Sequence, residues 1–178
     1  MAVRPANPRT SSGFIDRFLL TAEAYHIPGV VVFNKQDVLK KQKDIDRQKE
    51  WVDMYRTAGY TVLLTSSVTG EGVKELGDML HGKVSLLSGH SGVGKSTLIN
   101  SIFPSMQLRT KEISQKHNKG VHTTTFSEMF ELPTGGYIID TPGIKEFGIL
   151  DLQPQEVGHF FPEIRAILSG CKYNNCLH

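Results

Sequence analysis

Cysteine is nearly missing from this sequence: two occur in 178 residues, Cys171 and Cys176, both close to the C-terminus. A pair so placed is no disulfide framework and suits a reducing cytoplasm, the expected location. Their spacing with His178, C-x-x-x-x-C-x-H, points to a metal, although two free buried cysteines would read the same way. Long apolar runs are missing too. None approaches the ~20 residues that a membrane span needs, so no membrane association is expected. The start, 1–13, is polar, carries Pro5, Pro8 and Arg9, and has no apolar h-region; it is not a secretory signal and reads as a loop or linker stub. Charge of one sign is also scarce. The net value of +2 gives no argument for nucleic acid, and the basic run Lys40, Lys41, Lys43, Arg47, Lys49 fits a solvated helix face.

What is present is an ordinary soluble composition, 39% hydrophobic and 21% charged, on a chain long enough for one main domain and a small appendage. Short apolar runs alternate with polar or Gly-rich loops and helical patterns. Phe14–Tyr25 has helical spacing, Gly29–Phe33 and Tyr60–Leu64 are buried-strand runs, and Lys40–Ala58 is amphipathic. Val73–Leu80 reads as helix, Lys83–Leu87 as strand, and Lys95–Ile102 as helix. Between Pro104 and Gly120 the pattern gives way to a polar stretch. Phe126–Leu132 and Tyr137–Ile139, joined by a turn at Pro133–Gly136, form a hairpin, and 153–178 is a weaker helical segment. The layout predicts an α/β fold of three layers, a mainly parallel sheet with helices on both faces and its ligand site at the C-terminal ends of the strands.

The residues Gly89, His90, Ser91, Gly92, Val93, Gly94, Lys95 and Ser96 fit G-x-x-x-x-G-K-[ST] between a predicted strand and a predicted helix. Backbone N–H groups of such a loop turn inward around a phosphate, the helix N-terminus adds positive potential, and Lys95 adds a point charge at the β- and γ-phosphates. Ser96 offers its hydroxyl to Mg²⁺, and Thr97 follows it on the nucleotide side. The base is read elsewhere. Strand 29–33 ends in Asn34, Lys35, Gln36 and Asp37, an N-K-x-D pattern in which the Asp37 carboxylate can accept from guanine N1–H and N2–H₂ together, whereas adenine offers neither donor. Asn34 braces this loop and the Lys35 stem can lie over the base. Strand 60–64 leads into Thr65, Ser66 and Ser67, similar to the loop with which GTPases meet guanine O6 through backbone N–H groups.

Two further segments complete the set. Asp140-Thr141-Pro142-Gly143 fits D-x-x-G, in which the Asp orients Mg²⁺ and the Gly143 N–H reports on the γ-phosphate, although alone it would be a plain Pro-Gly turn. His122-Thr123-Thr124-Thr125, inside the polar stretch, offers hydroxyls for the metal. Ordinary GTPases run from phosphate loop through D-x-x-G to N-K-x-D; here N-K-x-D and the serine loop come first. The order is circularly permuted. Since every motif lies on a loop at one sheet edge, moving the termini need not move a ligand group.

With these motifs and the tail Cys171–His178, the chain closely resembles the ribosome small-subunit-dependent GTPase A family (RsgA or YjeQ type), from about Pro8 onward. The resemblance implies an N-terminal OB-fold, absent here, a permuted GTPase domain at 14–150, and the beginning of a zinc-binding module at 151–178. The sequence is therefore expected to be a fragment. It implies GTP and GDP as ligands, Thr124 as the switch ligand of Mg²⁺, Cys171, Cys176 and His178 as three of four structural zinc ligands, and the small ribosomal subunit and its rRNA as partners of a monomer. Turnover of GTP would be stimulated by the subunit during its late maturation.

Where many GTPases carry a water-orienting glutamine after D-x-x-G, this chain has Ile144, which cannot orient water. Slow unaided hydrolysis is expected, with His122 as the candidate for the missing group alongside Lys95 and Thr124; a backbone-bonded loop histidine is the alternative. A GTP-gated RNA- or ribosome-binding module with incidental hydrolysis is the rival reading. A P-loop ATPase or nucleotide kinase is disfavoured by Asn34–Asp37.

Overall fold

The computed structural model of the protein describes residues 2–3, 10–108, 128–140, 154–168 and 170–172. Strand β1 (Ala2–Val3) is followed by helix α1 (Ser12–Ala24), β2 (Val30–Asn34), α2 (Gln42–Thr57), β3 (Thr61–Thr65) and α3 (Val73–Leu80). Then come β4 (Lys83–Leu87), α4 (Lys95–Ile102), the hairpin β5 (Glu128–Glu131) and β6 (Gly136–Asp140), and two short helices, α5 (Pro154–Val157) and α6 (Pro162–Leu168).

Helix α1 begins two residues before the apolar pattern suggests. The Ser11 side chain accepts from the Phe14 N–H at 3.3 Å, so a cap rather than a hydrophobic residue sets the start. The helix closes with the Ile27 N–H donating to the Ala22 carbonyl at 2.8 Å across His26, whose φ is +55°. Its inner face buries Phe14, Ile15, Phe18, Leu19 and Leu20. Strand β2 divides its side chains between two cores, as a strand covered on both faces must. Val31 and Phe33 pack with α1 and α2 through Phe14, Phe18, Val52 and Tyr55, while Val32 packs with Leu76 of α3 and Leu98 of α4. This is the expected three-layer arrangement. On the first face, Tyr55 Oη donates to Asp16 Oδ1 at 2.8 Å. Burial holds the Asp16 carboxyl above the usual carboxylate range and pushes the Tyr55 phenol up still further.

The strands depart from expectation in one respect: they form two three-stranded sheets, β1-β2-β3 and β4-β6-β5, instead of one. Pairing is parallel except between β5 and β6. In the first sheet β1 is an edge of two residues, registered against Val32 and Phe33, and in the second β4 is an edge. Ala2 and Val3 are thus strand, where the sequence suggested linker.

The C-terminal segment, expected as one weak helix, is broken by Pro162. Phe161 is extended, as a residue before proline prefers, and Pro162 has no N–H to continue the ladder. Helix α6 is tied to α1 by Arg165 Nη2 donating to Glu23 Oε2 at 3.1 Å. Among the described residues no helix is long and apolar enough to cross a membrane.

Candidate functional site

Three loops meet at the C-terminal ends of β2, β3 and β4. The phosphate-loop segment 89–94 bridges β4 and α4, and it holds backbone that glycine alone adopts without strain: Gly92 has φ +86° and Gly94 φ +97°. Gly94 also faces the Asn34–Asp37 loop so closely that an added Cβ would stand 2.6 Å from Asn34 Nδ2 and 3.2 Å from Lys35 Cε. Val93 is fully buried beneath the loop, whereas Ser91 and Gly92 are exposed at its crest. Lys95 Nζ folds back to donate to the Gly89 carbonyl at 2.7 Å, which holds the ammonium over the loop's concave side. His90 stacks on Phe14, ring centroids 4.2 Å apart, fixing the loop to the first turn of α1. Ser96 is half-buried and Thr97 exposed, both in the first turn of α4.

The Asn34–Asp37 loop is joined to this loop directly. Asn34, 2% exposed, donates from Nδ2 to the Val93 carbonyl at 2.9 Å and accepts at Oδ1 from Thr65 Oγ1 at 3.1 Å. Lys35 takes the left-handed conformation, φ +68°, and donates from Nζ to the Gly92 carbonyl at 2.9 Å. Two residues on, Asp37 Oδ1 accepts from Ser66 Oγ at 2.6 Å. Ser66 Oγ in turn accepts from the N–H groups of Val68 and Thr69 at 3.3 and 3.2 Å, so one buried hydroxyl both aims the carboxylate and closes the 65–70 turn. Ser67, next to it, is half-buried.

Chemically, this arrangement brings a cradle of loop amides, a lysine ammonium and a carboxylate with fixed orientation onto one edge of the strands. Such a set can bind a phosphate chain at one end and a base with paired N–H donors at the other. Asp140 ends β6 opposite Leu87 in the ladder, so its backbone lies beside the entry to the phosphate loop; the side chain, like Thr124, His122 and Gly143, lies outside the described residues. Of the cysteine–histidine tail, Cys171 is described, half-buried, with Sγ 3.9 Å from the Ile167 carbonyl; Cys176 and His178 lie outside. Among the described residues no three His, Cys, Asp or Glu side chains cluster as a metal site.

Sequence reading missed the hydroxyl partners. Nothing local marks Thr65 as the acceptor's donor for Asn34 or Ser66 as the clamp on Asp37. The signal lay in strand register: β2 and β3 pair so that Asn34 stands opposite Thr65, which carries the two loops side by side.

Strands with helices on both faces, a G-x-x-x-x-G-K-S loop, and an N-K-x-D loop that precedes it in the chain define the fold of a circularly permuted P-loop GTPase. The family described as RsgA GTPase matches residues 1–150, and the chain belongs to that family. It is 52% identical over 171 residues to the small ribosomal subunit biogenesis GTPase RsgA of Bacteroides fragilis, covering 96% of this chain and 55% of the relative. Among solved structures, YjeQ from Thermotoga maritima superposes with a TM-score of 0.77 at 35% identity, covering 99% of this chain and 58% of that one. YloQ, a circularly permuted GTPase, gives 0.72 at 30% identity, covering 98% and 54%. The chain thus spans about half the length of these relatives.

Proposed function

We propose that this chain binds GTP with Mg²⁺ and hydrolyses it to GDP and phosphate, and that it serves in the maturation of the small ribosomal subunit, the role in the name of its relative from Bacteroides fragilis. One observation carries the nucleotide part: Asn34 and Lys35 donate to successive phosphate-loop carbonyls, those of Val93 and Gly92, so that guanine reader and phosphate cradle form a single site. In it the Asp37 carboxylate accepts from guanine N1–H and N2–H₂, and the amides of Gly89, His90, Ser91, Gly92, Val93 and Gly94 surround the β-phosphate. Lys95 swings from its own loop carbonyl to the β- and γ-phosphates. Ser96 and Asp140 fit a hard, oxygen-ligated cation: both stand at the phosphate end, one on the first turn of α4 and one at the end of the adjacent strand. With Thr124 they would hold Mg²⁺, which supplies charge neutralisation at the transferring phosphoryl group.

Phosphoryl transfer to water then needs a group to orient the water, and Ile144 stands where a glutamine would serve. His122 is assigned that task. Steady-state hydrolysis by the wild type and His122→Ala, each with and without purified small ribosomal subunits, tests the reading. Subunits are expected to accelerate the wild type at least tenfold and to leave His122→Ala near its basal rate, with GTP binding retained, an effect in the range of about 10²–10⁴ typical of general acid–base groups. If subunits bind both proteins and accelerate neither, Ile144 favours the second reading, a GTP-gated module that docks on the subunit and hydrolyses incidentally.

Ser66→Ala should separate the clamp from the carboxylate it aims. Without the 2.6 Å hydroxyl donor, GDP binding is expected to weaken about tenfold, the worth of one hydrogen bond to a charged group, while circular dichroism stays unchanged. A fluorescent-nucleotide titration reads this. The tail residues Cys171, Cys176 and His178 are proposed as ligands of structural zinc, a set of thiolates and imidazole suited to that ion but one short of its usual four.

A further inference from the structure

Six polar side chains are buried among the described residues, and four of them serve one loop. Asn34 belongs to it, Thr65 bonds Asn34, Ser66 bonds Asp37, and the fourth, Gln48, bonds Gln36. Of the four, only Gln48 comes from a helix, the second turn of α2. The two glutamines exchange a pair of hydrogen bonds: Gln36 Nε2 donates to Gln48 Oε1 at 3.2 Å, and Gln48 Nε2 donates to Gln36 Oε1 at 2.7 Å. Gln36 Nε2 also donates to the Phe33 carbonyl at 2.8 Å. A carbonyl can only accept, so Phe33 fixes which end of the Gln36 amide bears the nitrogen, and complementarity then fixes the Gln48 amide.

In α2, Gln48 occupies the place of a core residue. Gln48, Val52 and Tyr55, spaced i, i+4 and i+7, are the buried residues of the helix, and the latter two belong to the core that α1 and β2 share. A carboxamide in such a stripe is costly unless its polar atoms are bonded, and Gln36 bonds both Oε1 and Nε2. The loop held in this way is strained at its centre. Lys35, immediately before Gln36, has φ +68°, which a residue with a Cβ adopts only at a cost. Hydrogen bonds on either side keep it there, from Asn34 to the Val93 carbonyl and between Gln36 and Gln48, and Asp37 follows directly.

We propose that Gln48 is a positioning residue for guanine recognition: through Gln36 it holds the loop so that the Asp37 carboxylate meets guanine N1–H and N2–H₂ at once. This rests on the reading of Asp37 as the group that recognises the base, and deepens it. A carboxylate kept in one orientation accepts from both donors together, whereas one that swings with its loop accepts mainly from one, and the second donor then adds little. Ser66 and the amide pair divide the work. The hydroxyl fixes the torsions of the Asp37 side chain, and the pair fixes the backbone that carries it.

Inosine diphosphate lacks the 2-amino group and shares every other group with GDP, so the ratio of the two affinities reads the N2–H₂ contact alone. Calorimetric titrations of the 178-residue chain are expected to favour GDP about tenfold or more, the worth of one hydrogen bond to a charged group. Gln48→Met and Gln36→Met each keep the side-chain length and remove the pair. Each should lower the ratio about fivefold, part of that bond's worth, and the double variant should lower it no further, because all three lose the same unit. A smaller folded fraction weakens GDP and inosine diphosphate alike, so a merely structural role leaves the ratio unmoved. Should Gln48→Met fail to fold, Gln36→Met, at a half-buried loop position, carries the comparison. A wild-type ratio preserved in the variants, or losses that add in the double variant, would overturn the proposal and leave guanine reading by Asp37 standing. A wild-type ratio near one would overturn that reading itself, and the proposal with it.

Discussion

Asp37→Asn should convert a guanine nucleotide site into a xanthine nucleotide site. The wild-type carboxylate only accepts, and guanine offers it N1–H and N2–H₂; an asparagine amide accepts from N1–H but presents an NH₂ to the 2-position, where guanine repels it and xanthine places a carbonyl that receives it. A site built to hydrogen-bond one partner rejects the mismatched analogue by about 10⁴. Affinity for GTP is therefore expected to fall about 10³–10⁴-fold, and affinity for XTP to rise until it exceeds that for GTP. The Ser66 hydroxyl keeps its role, since its contact is to the retained oxygen position Oδ1. Competition of GTP, XTP and ATP against a fluorescent nucleotide checks the exchange. If the variant binds all three as the wild type does, Asp37 does not read the base.

The second large effect concerns the junction of the two loops. Gly94→Ala places a methyl group 2.6 Å from Asn34 Nδ2 and 3.2 Å from Lys35 Cε, at a φ of +97°. Two costs enter together, a strained backbone and the loss of the bonds to the Val93 and Gly92 carbonyls. Gly59 separates them. Its φ is +93° and an added Cβ meets nothing within 4 Å, so Gly59→Ala carries the backbone cost alone, about 1 kcal/mol of stability, with nucleotide binding intact. Gly94→Ala is expected to lose nucleotide affinity at least a hundredfold beyond that control. Calorimetric titration with GDP and thermal melts of both variants give the comparison; equal binding by the two would mean that the loops need not touch.

Much of this architecture was legible because it is written locally. Helices α3 and α4 and strand β4 fall on the predicted residues, each bounded by glycine or by the phosphate loop. The phosphate loop and the Asn34–Asp37 loop are contiguous strings, and contiguous strings can be read. The hydroxyls of Thr65 and Ser66 could not be read in the same way, because their meaning comes from partners about thirty positions away that only strand pairing brings near. The start of α1 depended on one cap at Ser11, below the resolution of an apolar pattern. The separation of β1 from β4 was illegible for another reason. Apolar runs announce that strands will be buried but not which strand lies beside which. The break at Pro162, by contrast, was available to a reading that weighed the proline.

The bonds from Asn34 and Lys35 to the phosphate loop also bear on the order in which the domain is made. The first halves of these contacts are translated well before their partners, since 59 residues separate Asn34 from Val93 and 57 separate Lys35 from Gly92. Contacts of such range form late and slowly, after the intervening strands have found their places. A chain still under synthesis carries the Asn34–Asp37 loop before the 89–94 loop exists to accept its hydrogen bonds. On the proposed reading, acquisition of nucleotide affinity would mark the moment at which β4 and its loop have joined the earlier half, and GTP would be a ligand of the completed domain alone.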